Sequence, residues 1–274
     1  MSGLGQVVYA IKNNGVMQWF RHEGTAEGTN NWANLVLDIG SGWNVYKTIL
    51  SGNLQGAIYA ITPDGVMHWY RHNGWKDGAP GWTAGEGGRT VGSGWNVYSH
   101  VVLGGRPMPP EGPDGVIIYG IKPNGDMDWY RHDGWTDGSA TWTAGNGGRH
   151  VGGGWQSYPR VFSIGRGIIY GITANGDVDW YRHDGWTDGS AAWTAGDGGR
   201  HVGSGWQFYT EVFGSYDANG QIYGITHEGF LDWYRHEGWP DGSPTWVAGD
   251  GGRRVGVAFD HFSRVVLGPV VELV

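Results

Sequence analysis

Residues 116–135 read VIIYGIKPNGDMDWYRHDGW, and residues 167–186 read GIIYGITANGDVDWYRHDGW. Val116 to Ile121 is a run of β-branched and aromatic residues, the composition of a strand. Pro123-Asn124-Gly125 follows as a tight turn, because Asn-Gly supplies the positive φ that a hairpin needs. Asp126 to His132 is the returning strand, with Met127, Trp129 and Arg131 on one face. Beyond it lies a glycine-rich loop, Asp133 to Gly148. Arg149-His150-Val151 is a short third strand, Gly152-Gly153-Gly154-Trp155 a connector, and Tyr158 to Ile164 a fourth strand. One unit of four strands is therefore legible around a single hairpin.

The unit recurs along the whole chain of 274 residues. Tyr9, Tyr59, Tyr119, Tyr170 and Tyr223 mark five registers, with gaps of 50, 60, 51 and 53 residues. The long gap comes from one insertion, Gly105 to Asp114, whose four prolines exclude a central strand and predict a surface loop. All 18 tryptophans fall on four recurring positions. The first holds Trp19, Trp69, Trp129, Trp180 and Trp233; the second Trp32, Trp82, Trp142, Trp193 and Trp246. The third, after a glycine, holds Trp75, Trp135, Trp186 and Trp239; the fourth, also after a glycine, Trp43, Trp95, Trp155 and Trp206. A period of this length signals a stacked or ring-closed repeat.

Four strands per unit, five units and no helical period predict an all-β, five-bladed β-propeller of four-stranded antiparallel blades, one domain over residues 1–274. Its second strands should start near residues 7, 57, 117, 168 and 221. The alternative is an open β-solenoid, which would need polar caps. The termini favour the ring. The chain enters directly at the Val7–Ile11 strand without the strand that precedes it in other units. It finishes with a copy of that missing strand, residues 261–267, which should complete the first blade and close the ring.

Composition narrows the function. A formal charge of −8 and a pI near 5.7 speak against a nucleic-acid partner, which needs a basic footprint. The absence of cysteine removes disulfides, thiolate catalysis and thiolate metal sites. The first residues show no secretory signal, so the chain is expected in the cytoplasm or released by a leaderless route. The apolar tail, residues 265–274, is too short to span a bilayer and is interrupted at Gly268-Pro269, so no membrane insertion is expected.

A second pattern runs across the units: Trp, six or eight residues, Val or Ile, Gly-x-Gly-Trp, two residues, Tyr or Phe, then an apolar strand and Ile-Tyr-Gly-Ile. Trp32 to Ile39, Gly40-Ser41-Gly42-Trp43 and Tyr46 carry it in unit one; Trp193 to Val202, Gly203-Ser204-Gly205-Trp206 and Tyr209 carry it in unit four. In this the chain resembles the tachylectin-type lectin repeat over essentially its whole length. The resemblance implies a five-bladed propeller that binds N-acetylated hexosamines such as GlcNAc or GalNAc, one site per blade, without metal. It also implies that the long outer loop and the Gly-Trp connector build each site. Two departures bear on sugar preference. Units two to five are longer between the second tryptophan and the glycine pair, and the Trp-x-Asp-Gly element (Trp75, Asp77 and Gly78 in unit two) is extra.

A carbohydrate site needs an apolar platform for the C–H face and a few fixed polar groups for hydroxyls. The repeated loops offer both. The candidates are Trp75, Asp77, Trp82 and Trp95 in unit two, Trp135, Asp137, Trp142 and Trp155 in unit three, Trp186, Asp188, Trp193 and Trp206 in unit four, and Trp239, Asp241 and Trp246 in unit five. The bland account is that these tryptophans fill gaps between blades and that the aspartates cap turns. Trp155 and its copies read either as a wall of the pocket or as a wedge between blades, the wedge with its indole N–H satisfied locally. The Tyr-Arg-His triplet of residues 130–132 reads as packing, since one His per blade is too dispersed for a metal cluster. Asp126 and Asp128 read as a solvated strand end.

Near-identical loops favour a repeated small ligand over a single catalytic centre or a protein partner. A glycosidase needs two carboxylates of different pKa facing across one bond; the acidic positions of the loops are repeated rather than unique, and the unique acids, such as Glu111, Glu211 and Asp260, sit in no motif of that kind. A non-enzymatic, multivalent glycan binder without cofactor or metal, active without oligomerisation, is the expectation. Unit one carries Thr25-Ala26-Glu27 where unit three carries Trp135-Thr136-Asp137, and unit five carries Gly256-Val257-Ala258-Phe259 as its connector. Units two to four should therefore hold the most competent sites.

Overall fold

The structure, a computed structural model, describes residues 3–216 and 219–273. It is a ring of five antiparallel sheets. The third blade shows the plan. His100–Gly105 is innermost, followed outward by Val116–Ile121 and Met127–His132. The outermost position is shared: Trp142–Thr143 pairs with the C-terminal end of Met127–His132 and Arg149–Gly152 with its N-terminal end. The glycine-rich loop thus contributes half of an edge strand that its composition concealed. The second, fourth and fifth blades repeat this plan around Ala57–Ile61, Ile168–Ile172 and Gln221–Thr226.

The first blade is composite. Its strands, from the centre outward, are Phe262–Glu272, Leu4–Lys12, Met17–His22 and Leu37–Gly40. Val266 lies opposite Tyr9, as Val102 lies opposite Tyr119 in the third blade. The last strand differs from its expected span in two ways. His261 belongs to a one-turn 3-10 helix, Phe259–His261, and pairing continues through Gly268-Pro269 to Glu272. The register shift between Gln6 and Val8 absorbs that dipeptide as a bulge, where proline's missing N–H does no harm. Phe262–Glu272 packs against the innermost strands of both the second and the fifth blade, so the ring is closed.

Second strands such as Val116–Ile121 are buried at every residue. A neighbouring blade covers each of their faces, which is why their sequences run apolar instead of alternating. The junctions carry the same hydrogen bonds five times over. The Tyr of each second strand meets Nδ1 of a buried His in the next blade: Tyr9–His72, Tyr59–His132, Tyr119–His183, Tyr170–His236 and Tyr223–His22, at 2.7–3.2 Å. The other ring nitrogen of each His lies against a backbone carbonyl of its own blade's loop, such as Ser139 for His132. The second-position tryptophan lies against that His, with ring centroids 4.3–4.9 Å apart, and sends its indole N–H back to the preceding blade, as Trp142 does to the Val91 carbonyl at 2.6 Å. In the opposite direction, the indoles of Trp19, Trp69, Trp129 and Trp180 donate to the carbonyls of Trp75, Trp135, Trp186 and Trp239 in the next blade.

Two outcomes follow from ring closure and the histidine junctions. Deleting residues 260–274 strips the inner strand from the first blade and leaves an open sheet edge. The truncated chain should unfold or aggregate, and a melting curve equal to that of the full chain would refute the closure. Burial also depresses the pKa of all five junction histidines, to about 4 for His22, His132 and His236, against weaker opposing bonds to backbone carbonyls. The unfolded chain therefore binds more protons than the folded one between pH 6.5 and about 4. Stability should be full above pH 6.5 and fall steeply as pH drops through that window, by up to about 1.4 kcal/mol per group per pKa unit. Glu211, raised by burial to about 7, opposes this as one group against five. Calorimetric Tm against pH tests it; a flat profile from pH 7 to 4.5 would overturn it.

Candidate functional site

Each connector ends in a glycine with φ between 81° and 88° (Gly42, Gly94, Gly154 and Gly205), followed by a 3-10 turn that starts on the fourth-position tryptophan. The turn aims Trp43, Trp95, Trp155 and Trp206 into the junction with the next blade. There each ring lies 4.6–4.8 Å from the tyrosine of that blade's Tyr-Arg-His triplet: Tyr70, Tyr130, Tyr181 and Tyr234. The second-position tryptophan forms the other side, with centroids 5.4–5.9 Å from the connector ring in the pairs 43–82, 95–142, 155–193 and 206–246. Four alike clefts result, each shared by two blades.

The cleft between blades three and four has a volume of about 220 Å³ and is bounded by Trp155, Tyr158, Tyr181, Trp193 and the glycines of both loops. Its neighbour between blades two and three measures about 730 Å³ and adds Lys122 and Asn146. Inside, Tyr158 OH donates to Asp179 Oδ2 at 2.8 Å and meets Tyr181 OH at 2.6 Å. Tyr98 repeats this with Asp128 and Tyr130, and Tyr209 with Asp232 and Tyr234. Burial first, then the neighbouring tyrosine and carboxylate, pushes Tyr98, Tyr158 and Tyr209 far above the usual phenol range, so they stay neutral. Lys122 Nζ closes on Asp128 at 2.7 Å, Arg254 on Asp232 at 3.5 Å, and His201 on Asp179 at 3.7 Å. The first cleft has His68 beside Tyr46 in place of the carboxylate.

The residues singled out from sequence divide into two groups. Trp82, Trp95, Trp142, Trp155, Trp193, Trp206 and Trp246 come together in the clefts, with Trp43 beside them. Trp75, Trp135, Trp186 and Trp239 lie instead at the far end of the blades. They follow the histidine that pairs where the second strand begins, whereas the connector bonds to the hairpin turn at the opposite end. Their carbonyls cap the indoles of the preceding blade. Trp135 is only 2% exposed, with Arg106 at 4.0 Å over its ring. Asp77, Asp137, Asp188 and Asp241 each accept the N–H two residues on, the bond of an Asx turn.

Asp128 is not a solvated strand end: it is 2% exposed, because Tyr98 of the preceding blade covers it. Trp155 is a buried wedge, but its indole N–H is not satisfied locally. Among the described residues, Nε1 of Trp43, Trp95, Trp155 and Trp206 has no hydrogen-bond partner and is not sealed from solvent. Finally, the connector glycine answers a backbone angle and not a close approach. A Cβ on Gly94, Gly154 or Gly205 would meet nothing within 4 Å. Ala258, its counterpart in unit five, is held at φ 64°, where a side chain adds strain. The tyrosines and carboxylates of the clefts were missed. Their signal was the tyrosine three residues after each connector tryptophan.

The variants of units one and five fall in a single junction. There Phe259, Phe262 and Phe20 replace the connector tryptophan and both tyrosines, packing with Trp32 at 5.7–6.3 Å. Gln18 stands at the carboxylate position and bonds to Asp38 at 2.6 Å. At the far end of the same junction, Thr25 replaces the third-position tryptophan, and Trp233 Nε1 is buried without a partner.

The Tachylectin family model matches residues 1–211 and 111–264. The chain belongs to the Tachylectin family, and its class is that of a carbohydrate-binding propeller lectin. No curated protein sequence is similar to it. Among solved structures it is similar to SapL1 lectin in complex with alpha methyl fucoside, at 16% identity and a TM-score of 0.43, covering 92% of this chain and 81% of that one. A triple arginine-to-alanine mutant of AofleA from Arthrobotrys oligospora gives 12% and 0.48, covering 100% and 90%. The fucose-specific lectin from Aleuria aurantia gives 19% and 0.42, covering 89% and 72%.

The split between cleft and far-end tryptophans can be measured. Trp135→Ala removes a fully packed indole and should cost about 3–5 kcal/mol of stability. The urea midpoint should fall with the m-value unchanged, while the tryptophans of every cleft stay in place. A loss below about 1 kcal/mol would mean that the ring is not part of the junction.

Proposed function

We propose that the protein is a multivalent lectin for N-acetylated hexosamines, GlcNAc or GalNAc, with four working clefts per chain. The fourfold recurrence of one arrangement carries this reading: two tryptophans, two tyrosines, and an indole N–H left without a partner. Tryptophan faces suit the C–H side of a pyranose and the methyl of an acetamido group. The unpaired Nε1 donors of Trp43, Trp95, Trp155 and Trp206 suit an acetamido carbonyl or a ring hydroxyl. The Tyr–Asp pairs offer acceptors for hydroxyls, and the glycine-lined backbone lets the sugar approach closely.

The carboxyl groups argue for binding over hydrolysis. Asp128, Asp179 and Asp232 stand one in each of three clefts, each bonded to a tyrosine, whereas glycosidic cleavage takes two carboxyls across one bond. The first cleft, with His68, should be the weakest of the four. The phenylalanine junction offers neither hydroxyl nor indole donor at those positions and is expected to be silent.

Titration calorimetry with free GlcNAc should therefore give four sites per chain, insensitive to EDTA. Avidity on a multivalent glycan should exceed the single-site affinity by roughly 10²–10⁴. Trp95→Ala, Trp155→Ala and Trp206→Ala should each remove one site, and Phe259→Ala none. A stoichiometry of one, a fifth site at Phe259, or full occupancy after the three cleft substitutions would refute this assignment. Binding of a fucoside but not of N-acetylhexosamines would leave the clefts standing and overturn the sugar.

A further inference from the structure

The repeats are alike in their outer loops and unlike at the centre. Opposite the last isoleucine of each second strand, the innermost strands place Thr48, His100, Arg160, Glu211 and Arg264. One register position, repeated five times, holds four residue types. These residues form the mouth of a central cavity of about 290 Å³, bounded by strands from all five blades. Deeper in, its walls are apolar, with Val102, Phe162, Val212 and Leu267 among them. Three residues separate Arg264 at the mouth from Leu267, a depth of about 10 Å.

The cavity is closed at its inner end. Tyr216 of the fifth blade crosses the axis there. A Cβ on Gly52 of the second blade or Gly165 of the fourth would lie 2.8 or 3.2 Å from its ring, and its hydroxyl donates to the Leu103 carbonyl of the third at 3.4 Å. The same side chain lines a second cavity beyond, so it acts as the partition between the two. The channel is thus a blind, largely apolar tube with a polar rim.

The rim is cationic. Arg160 Nη1 is engaged by the Trp206 and Tyr209 carbonyls, and a ring nitrogen of His100 lies 3.0 Å from the Pro159 carbonyl. Glu211 Oε2 accepts the Val265 N–H at 3.1 Å, and burial holds its carboxyl up near 7, so much of its negative charge is lost at neutral pH. Arg264 makes no hydrogen bond and no ion pair within 4 Å among the described residues, and its charge acts on the Glu211 carboxyl across the rim, partly offsetting the rise that burial gives it. A guanidinium is always charged and matches a carboxylate with two parallel bonds.

We propose that the central channel is a second ligand site, one per chain and separate from the sugar clefts, for a small monocarboxylate with an aliphatic tail. The carboxylate sits on Arg264 and the tail fills the tube toward Tyr216. Repetition of the blades cannot produce such a site; divergence of the five inner strands can.

Calorimetric titration with sodium hexanoate should give one equivalent per chain, and hexylamine, with the same tail and the opposite charge, should give no heat. Arg264→Gln should weaken hexanoate at least tenfold, while Arg166→Gln, at the other face, should leave it unchanged. Thermal melts of both variants report folding, and Arg264→Lys, which keeps the charge, should restore part of the affinity if Gln unfolds the chain. Absence of binding at millimolar hexanoate, equal binding of hexylamine, several equivalents per chain, or an affinity indifferent to Arg264 would each overturn the proposal.

Discussion

A buried hydroxyl-to-imidazole hydrogen bond crosses every blade junction, and the rest of the molecule is arranged around it. The histidine has two ring nitrogens, and each is spoken for: one by the tyrosine of the preceding blade, the other by its own loop. A neutral imidazole donates from one nitrogen only, so the pair of partners fixes which tautomer is present. The tryptophan lying against it then returns a bond to the preceding blade. Polar groups this deep are costly unless all of them are paired, and once paired they specify one alignment of the two sheets. A one-residue slip of any blade would break both bonds at two junctions.

This constraint explains the division of labour among the tryptophans. Trp233 apart, the first two positions use their indole N–H to hold blades together, and the third lends its carbonyl to the same end. The fourth lies on a turn that leads out of one blade and into the next, and its N–H is left over. Nothing in the sequence separates a tryptophan that caps a neighbour from one whose indole N–H is left without a partner, since both follow glycine and both recur. The fold was legible because strand composition and repeat phase are local properties. The sites were only half legible, because each is made by two units. Tyr98 and Asp128 are 30 residues apart and belong to different repeats, and reading each unit by itself hides the bond between them. The aspartates of the Trp-x-Asp-Gly loops misled for the opposite reason. An exposed carboxylate beside an indole resembles a sugar site, and only its bond to the N–H two residues on reveals the turn.

Symmetry is broken in two places, and the two have different causes. Around the axis, five equivalent strand positions face one shared space, so five identical residues would crowd one charge or one bulk into it. Divergence there relieves the ring of a constraint that the outer clefts, each lined by only two blades, do not feel. The composition of the rim, with two arginines, one histidine and one carboxylate, goes beyond what filling space requires.

The second break is the junction between the fifth and first blades, and chain connectivity accounts for it. Tyrosine and histidine lie 63 to 73 residues apart at the other four junctions but 201 apart at this one. Loop-closure entropy rises with the logarithm of that separation, which makes this contact about 1 kcal/mol harder to form than its counterparts. The difference is of the size that side-chain chemistry can offset. Phe20, Phe259 and Phe262 present rings without hydroxyls, so joining them desolvates no polar group, whereas each tyrosine at the other junctions must find a partner or lose about 1–3 kcal/mol. The innermost strand of this blade is also the longest of the five, at 11 residues, and pairs along the whole of Leu4–Lys12. The junction that costs most to close is thus the one given over to adhesion. The same loss of hydroxyls and indole donor that strengthens the seal removes the polar groups a sugar would need, so closure of the ring and a fifth cleft are alternatives at that position.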